Sequence, residues 1–166
     1  MLTISTELRV SNIHGLGVFA LRDIPAGQTI WRFQLMFDQV WTKQQILSLP
    51  VEAQAYLYHY VWKSKKEEDC YLISADNARY FNHSFDANTF WDGDDFHFGG
   101  EQVCKARTFI PNRSEITQNY LEFEDSGDSS LWQQIRKNTG IILDNFYRNL
   151  YPEDRTGQAD HFKINV

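Results

Sequence analysis

An eleven-residue pattern occurs twice in this chain, and it constrains the fold more than any other feature. Ala20-Leu21-Arg22-Asp23-Ile24-Pro25-Ala26-Gly27-Gln28-Thr29-Ile30 aligns with Ala106-Arg107-Thr108-Phe109-Ile110-Pro111-Asn112-Arg113-Ser114-Glu115-Ile116. Ala, Ile, Pro and Ile recur at matched offsets. Proline presets φ and glycine accepts a positive value, so each copy reads as strand, Ile-Pro turn, strand. Two such hairpins in a small domain predict a mostly β body of several small sheets with short helices.

The flanking chain fits that body. Glu7–Val10 reads as a short strand, Ser11–His14 as a loop, and Gly15–Leu21 as a strand opened by two glycines. Gln28–Phe37 is strand-like throughout. Thr42 is a candidate N-cap for a short helix ending at Leu47, and a second helix runs from Pro50 to about Leu57. Tyr58–Trp62 has β-prone residues, and Lys63–Asp69 reads as an exposed hairpin or loop. After the polar break 125–130, Leu131, Ile135, Ile142, Phe146 and Leu150 recur at helical spacing around Gly140. This predicts one kinked helix or two short ones on an apolar face of the β body. Residues 1–124 thus form the main body, and 125–166 a helical extension packed on it.

Bulk composition excludes several function classes. At 166 residues and 15% aromatic content the chain suits one domain with a real core. A net charge of -6 argues against direct nucleic-acid binding, which favours a basic face. Met1–Glu7 shows no signal-peptide pattern, and no apolar run reaches bilayer-spanning length. Cys70 and Cys104 form no CxxC pair, so neither a metal site nor a disulfide framework is expected, and a reducing, cytoplasmic setting is. Gly15-x-Gly17 lacks the longer dinucleotide pattern and the Gly-Lys-Ser/Thr of a phosphate loop. No Ser-His-Asp or paired-carboxylate arrangement is visible.

The stretch Asn77–Asn88 interleaves aromatic residues with short polar ones. Such side chains hydrogen-bond nearby backbone and favour caps and turns, and the apolar half calls for a buried bend whose polar groups are satisfied inside. Arg79-Tyr80-Phe81-Asn82-His83-Ser84, followed by Asp86-Ala87-Asn88, resembles the signature of SET-domain protein lysine methyltransferases. Ile13–Ala20 resembles the family's first motif, in which a small-residue bend lies against the cofactor. Ser114–Tyr120 resembles its Gly-Glu-Glu-Leu-Thr-aromatic-Asp-Tyr stretch. The resemblance spans roughly Glu7 to Glu124.

The resemblance implies a β-clip fold in which the Asn82 and Tyr120 segments cross like a loose knot. It implies S-adenosyl-L-methionine as cofactor, held by His14, Gly15, Leu16, Gly17, Arg79, Asn82, His83, Tyr120 and Phe123. It also implies Tyr120 as the catalytic residue and a lysine-containing protein or peptide as substrate, with no nucleic-acid or membrane partner. Phe123, Trp132 and Phe146 are aromatic candidates for the lysine channel or an adenine cover. Phe85 replaces a cysteine that binds zinc in many members, so no metal is expected. Gln118 replaces an aromatic residue that limits methylation, which leaves the number of methyl groups open. Asn119, Ala87 and Arg113 replace a common Asp, Pro and Gly, and Phe33-Gln34 stand near a position where relatives place a tyrosine. A domain of the same shape that binds cofactor or a basic peptide without turnover is the alternative. Nothing in the sequence sets the oligomeric state.

Overall fold

The two copies of the repeat meet face to face. In the computed structural model, which describes residues 1–64, 69–97, 101–122 and 130–140, Ile24 and Ile110 exchange backbone hydrogen bonds of 2.9 Å in both directions. Gly27 N–H donates to Ala106 O (2.8 Å) and Arg113 N–H to Ala20 O (2.7 Å), the same bond from each copy to the other. Ala20 N–H likewise reaches Ser114 O, and Ala106 N–H reaches Gln28 O. Ala20, Ile24, Ile30, Ala106, Ile110 and Ile116 are all fully buried. The sequence repeat is therefore a local two-fold, and its isoleucines form the centre of the main core.

Each turn needs one left-handed residue. The first copy uses Gly27 at φ +81°, while the second uses Arg113 at φ +68°. A side chain costs about 1 kcal/mol or more in that conformation, and glycine does not. A Cβ on Gly27 would meet nothing within 4 Å, so only the backbone term applies. Gly27→Ala should lower the unfolding free energy by about 1 kcal/mol, and Arg113→Gly should leave it unchanged or raise it. Urea midpoints of the two variants check this.

The described residues form three small sheets, and these match the expected fold class. The first contains β1 (Thr6–Val10), β2 (Leu16–Ala20), β10 (Glu115–Gln118) and β7 (Asn82–His83), in that order. The second orders β3 (Thr29–Trp31), β9 (Glu101–Ala106) and β8 (Thr89–His97). The third orders β4 (Gln39–Thr42), β6 (Cys70–Ile73) and β5 (Trp62–Lys63). Trp31, Trp62 and Trp91 meet edge-on or tilted, with centroids 5.6 to 6.3 Å apart, and so join the second and third sheets. Ring pairs of this kind add stabilisation beyond their buried area.

Gln28–Phe37 is not one strand. Pairing stops at Trp31, and the chain turns at Gln34, whose carbonyl accepts from Phe37 and Asp38 N–H. Met36 sits in this turn at φ +74°. The organiser is Asp38, whose fully buried carboxylate takes the Met1 ammonium (2.8 Å), Gln34 N–H (2.9 Å) and Ala75 N–H (3.1 Å).

The helices gather at one end around a second core of Ile46, Leu57, Tyr58, Tyr71, Leu131 and Ile135. α1 (Lys43–Leu47) starts at Thr42 with a reciprocal capping box to Gln45. α2 runs over Val51–Tyr60, so Tyr58, His59 and Tyr60 are helical and not β. Their β preference is overridden because Tyr58 packs edge-on against Trp132 at 5.6 Å, and Tyr56 meets Tyr60 one turn on at 4.8 Å. α3 (Ser130–Thr139) ends at Gly140, φ +66°, whose N–H caps Arg136 O. It packs against α1 and α2 more than on a bare sheet. Ile142, Phe146 and Leu150 lie outside the described residues, as does most of the charged segment after Lys63.

Candidate active site

The strand pair β7 and β10 is short, buried and parallel. Thr117 stands opposite Asn82, and Gln118 opposite His83. Two strands this far apart in sequence can pair in parallel only if the intervening chain loops around, which produces the crossing. Asn88 locks it: its amide accepts from Thr117 N–H (2.9 Å) and donates to Glu115 O (2.8 Å). Thr89 Oγ1 donates to Thr117 O (2.7 Å), and Ser84 N–H donates to Gln118 O (2.9 Å). Asn88 of the signature is thus a backbone mimic that replaces ladder hydrogen bonds.

Asn82 draws the glycine bend into the same place. Its Nδ2 lies 3.0 Å from His14 O, 3.1 Å from Leu16 O and 2.8 Å from Glu115 Oε1. Gly15 adopts φ +46° with nothing within 4 Å of where a Cβ would stand, so the bend is open on that side. Gly17 is different. A Cβ there would lie 2.2 Å from Glu115 Oε1, so this glycine makes room for a carboxylate.

His83 and Tyr120 complete the group. Tyr120 N–H donates to His83 Nδ1 at 3.2 Å, and the rings lie 5.3 Å apart. The Tyr120 hydroxyl donates to Phe81 O at 2.5 Å, directly across the crossing. Phe85 is 65% exposed and sets its ring perpendicular to His83 at 4.7 Å.

Burial holds the His83 pKa below its ordinary 6.5. Nδ1 accepts a hydrogen bond, so the neutral ring is the form that fits. As pH falls, the unfolded chain takes up this proton first, near 6.5, and the folded chain only lower. Stability contributed by the neutral ring is present above about pH 6.5 and is lost as pH falls toward the depressed folded value. Denaturation at pH 7.5, 6.5 and 5.5 should show this loss in the parent and a smaller one in His83→Gln.

The structure therefore brings together His14, Gly15, Leu16, Gly17, Asn82, His83 and Tyr120. Arg79 is not brought into this group. Its guanidinium goes to Ala75 O (2.7 Å), Asp76 O (3.2 Å) and the Tyr56 hydroxyl (2.6 Å), because its 3₁₀ turn, Asn77–Tyr80, and α2 offer these acceptors nearby. These partners are neutral, so Arg79 ties the turn to α2 with no ion pair among the described residues. Trp132 belongs to the second core with Tyr58 and Tyr71, not to this site. Phe33 is buried in the main core at 2% exposure. Gln118 is buried, with Nε2 3.4 Å from Cys104 Sγ, and burial pushes that thiol up to about 11. Phe123 and Phe146 lie outside the described residues. Sequence reasoning assigned no role to Glu115, although its place in the third motif was visible.

Residues 15–121 match the SET domain family model, well over half of the chain. The chain belongs to the SET-domain family. A search of curated protein sequences finds no match. Among solved structures, the SET domain resembles a Plasmodium falciparum chain described as a histone methyltransferase, with TM-score 0.52 and 19% identity over 72% of this chain and 95% of that one. It also resembles Chaetomium thermophilum Polycomb Repressive Complex 2, with TM-score 0.59 and 16% identity over 81% of this chain. A humanized mutant of that complex gives TM-score 0.58 and 19% identity over 80% of this chain. The SET domain here spans only 17% and 16% of those two Polycomb chains. Among the described residues no three His, Cys, Asp or Glu side chains converge as a metal-holding group, and no helix is long and apolar enough to cross a membrane.

Proposed function

We propose that this SET domain transfers a methyl group from S-adenosyl-L-methionine to the side-chain amine of lysine in a protein substrate. The supporting observation is the crossing itself, which sets the Tyr120 hydroxyl on Phe81 O while Asn82 reaches the open Gly15 bend and His83 meets Tyr120. The residues fit such a cofactor. Asn82 is 7% exposed, and with its Nδ2 committed to three acceptors its Oδ1 carries no hydrogen bond among the described residues. That acceptor beside an open bend suits an ammonium donor. The exposed Phe85 ring offers a flat surface for a purine. When bound, the cofactor would supply an electrophilic methyl group on a sulfonium.

The protein's own part is positioning and proton control. A lysine with a pKa of about 10.4 costs roughly 4–5 kcal/mol to present as a neutral amine near pH 7. Burial among aromatic side chains disfavours the ammonium and recovers part of this. Tyr120 donates its hydroxyl proton to Phe81 O, so toward an entering amine its oxygen would act as an acceptor of an N–H. A hydrogen bond from the amine N–H to that oxygen would turn the nitrogen lone pair away from Tyr120 and fix its direction of attack. Backbone carbonyls at the crossing would offer weak C–H···O acceptors to a methyl group held there. No described group is required as a strong base if the proton leaves through water.

The test is incubation of the protein with methyl-labelled cofactor and a pool of lysine-containing peptides, with mass spectrometry of the products. Label on a lysine side chain is the expected result. Cofactor binding without transfer would replace the proposal with the non-catalytic reading, and absence of binding would remove both.

A further inference from the structure

Glu115 opens β10 and is half-buried, with its carboxylate beneath the glycine bend. Oε1 accepts from Asn82 Nδ2 at 2.8 Å, and Oε2 accepts from Ser11 Oγ at 2.9 Å. Ser11 in turn receives Ile13 N–H on its hydroxyl (2.8 Å), and its own N–H reaches Gly15 O (2.9 Å). One side chain therefore holds both limbs of the bend, through Ser11 on one side and Asn82 on the other. It also fills the volume that Gly17 leaves, since Oε1 would stand 2.2 Å from a Cβ there.

The partners of this carboxylate are all neutral, and no Lys, Arg or His pairs with it among the described residues. Arg9, on the adjoining strand pair, is committed elsewhere: to Glu7 at 3.2 Å, to the Phe19 ring at 3.9 Å and to Arg113 O at 2.7 Å. A carboxylate whose described partners are all neutral attracts a cation that arrives near it. It also lies one hydrogen bond from Asn82, whose Nδ2 reaches both limbs of the bend at His14 O and Leu16 O.

We infer that Glu115 is a positioning residue for the cofactor bend and the fixed negative charge that makes the site favour a cationic sulfonium over the neutral thioether left after methyl transfer. The inference rests on the methyl-transfer reading. Departure of the methyl removes the positive charge on sulfur, so the attraction is switched off in the product. Glu115 thereby promotes exchange of spent cofactor for fresh.

Calorimetry with S-adenosylmethionine and with its demethylated thioether product tests this on the full chain. Glu115→Gln keeps the size and the acceptor for Asn82 but removes the charge. It should weaken binding of the sulfonium about tenfold while the thioether changes less than about twofold. In turnover, KM for the cofactor should rise with kcat nearly unchanged, and inhibition by the thioether should become relatively stronger. Equal effects on both ligands, or no effect on either, would overturn the inference and leave the methyltransferase reading intact. Failure of the unsubstituted protein to bind either ligand would remove both. If Glu115→Gln does not fold, Glu115→Asp serves instead: it keeps the charge and shortens the reach, so both affinities should fall while their ratio is retained. A collapsed ratio in that variant would overturn the inference.

Discussion

Replacing Tyr120 with phenylalanine is expected to slow methyl transfer by about a hundredfold to a thousandfold, the range seen when one preorganised polar group is removed from an active site. Cofactor affinity should change by less than about threefold, because the ring, its 5.3 Å contact with His83 and its N–H bond to Nδ1 all remain. The lost group is the hydroxyl between Phe81 O and the proposed entry of the amine. Its removal leaves one carbonyl without a donor, a folding cost of about 1 kcal/mol. Stability and chemistry therefore separate: the unfolding midpoint should shift little while kcat falls sharply. Single-turnover rates with saturating cofactor read the effect directly, and a rate equal to the parent's would take Tyr120 out of the mechanism.

Asp38→Ala should cause the largest stability loss of any surface-distant polar substitution discussed for this protein, about 3–5 kcal/mol. The carboxylate is fully buried and serves three donors from three parts of the chain, the Met1 ammonium, Gln34 N–H and Ala75 N–H. Alanine leaves those donors unmatched and a charged amine without its partner. It also removes the clamp on the turn that holds Met36 at φ +74°, a conformation with its own cost. For a chain of this size the melting temperature should fall by roughly 10 °C or more. Asp38→Asn keeps one acceptor and should lose less. Chemical denaturation of the pair separates the charge from the shape, and a loss below about 1 kcal/mol in Asp38→Ala would show the clamp to be dispensable.

Asp38 also shows where reading the sequence stops. The apolar run around Leu35-Met36-Phe37 looks like strand, and an aspartate after it looks like an ordinary turn residue. Nothing local reveals that the first residue of the chain and Ala75 converge on it. The tyrosines at the end of α2 fail for the opposite reason. Their local preference is for strand, but that preference is worth at most about 1 kcal/mol per residue, less than burying an aromatic ring. Trp132 had the composition of a channel residue, and its contacts with Tyr58 and Tyr71 put it in the second core.

What the sequence by itself determined was whatever is settled within a few residues. The Ile-Pro turns, the Thr42 N-cap, the interruption at Gly140 and the three motifs depend on fixed φ values, missing Cβ atoms and short side chains that reach their own backbone. Tertiary structure alone decided that β7 and β10 run parallel, that Asn88 stitches them, and that Glu115 reaches Ser11 across 104 positions of chain. The reason is physical: a buried carboxylate or amide takes its role from donors and acceptors brought near it by the packed core, and those neighbours leave no local trace in the order of residues.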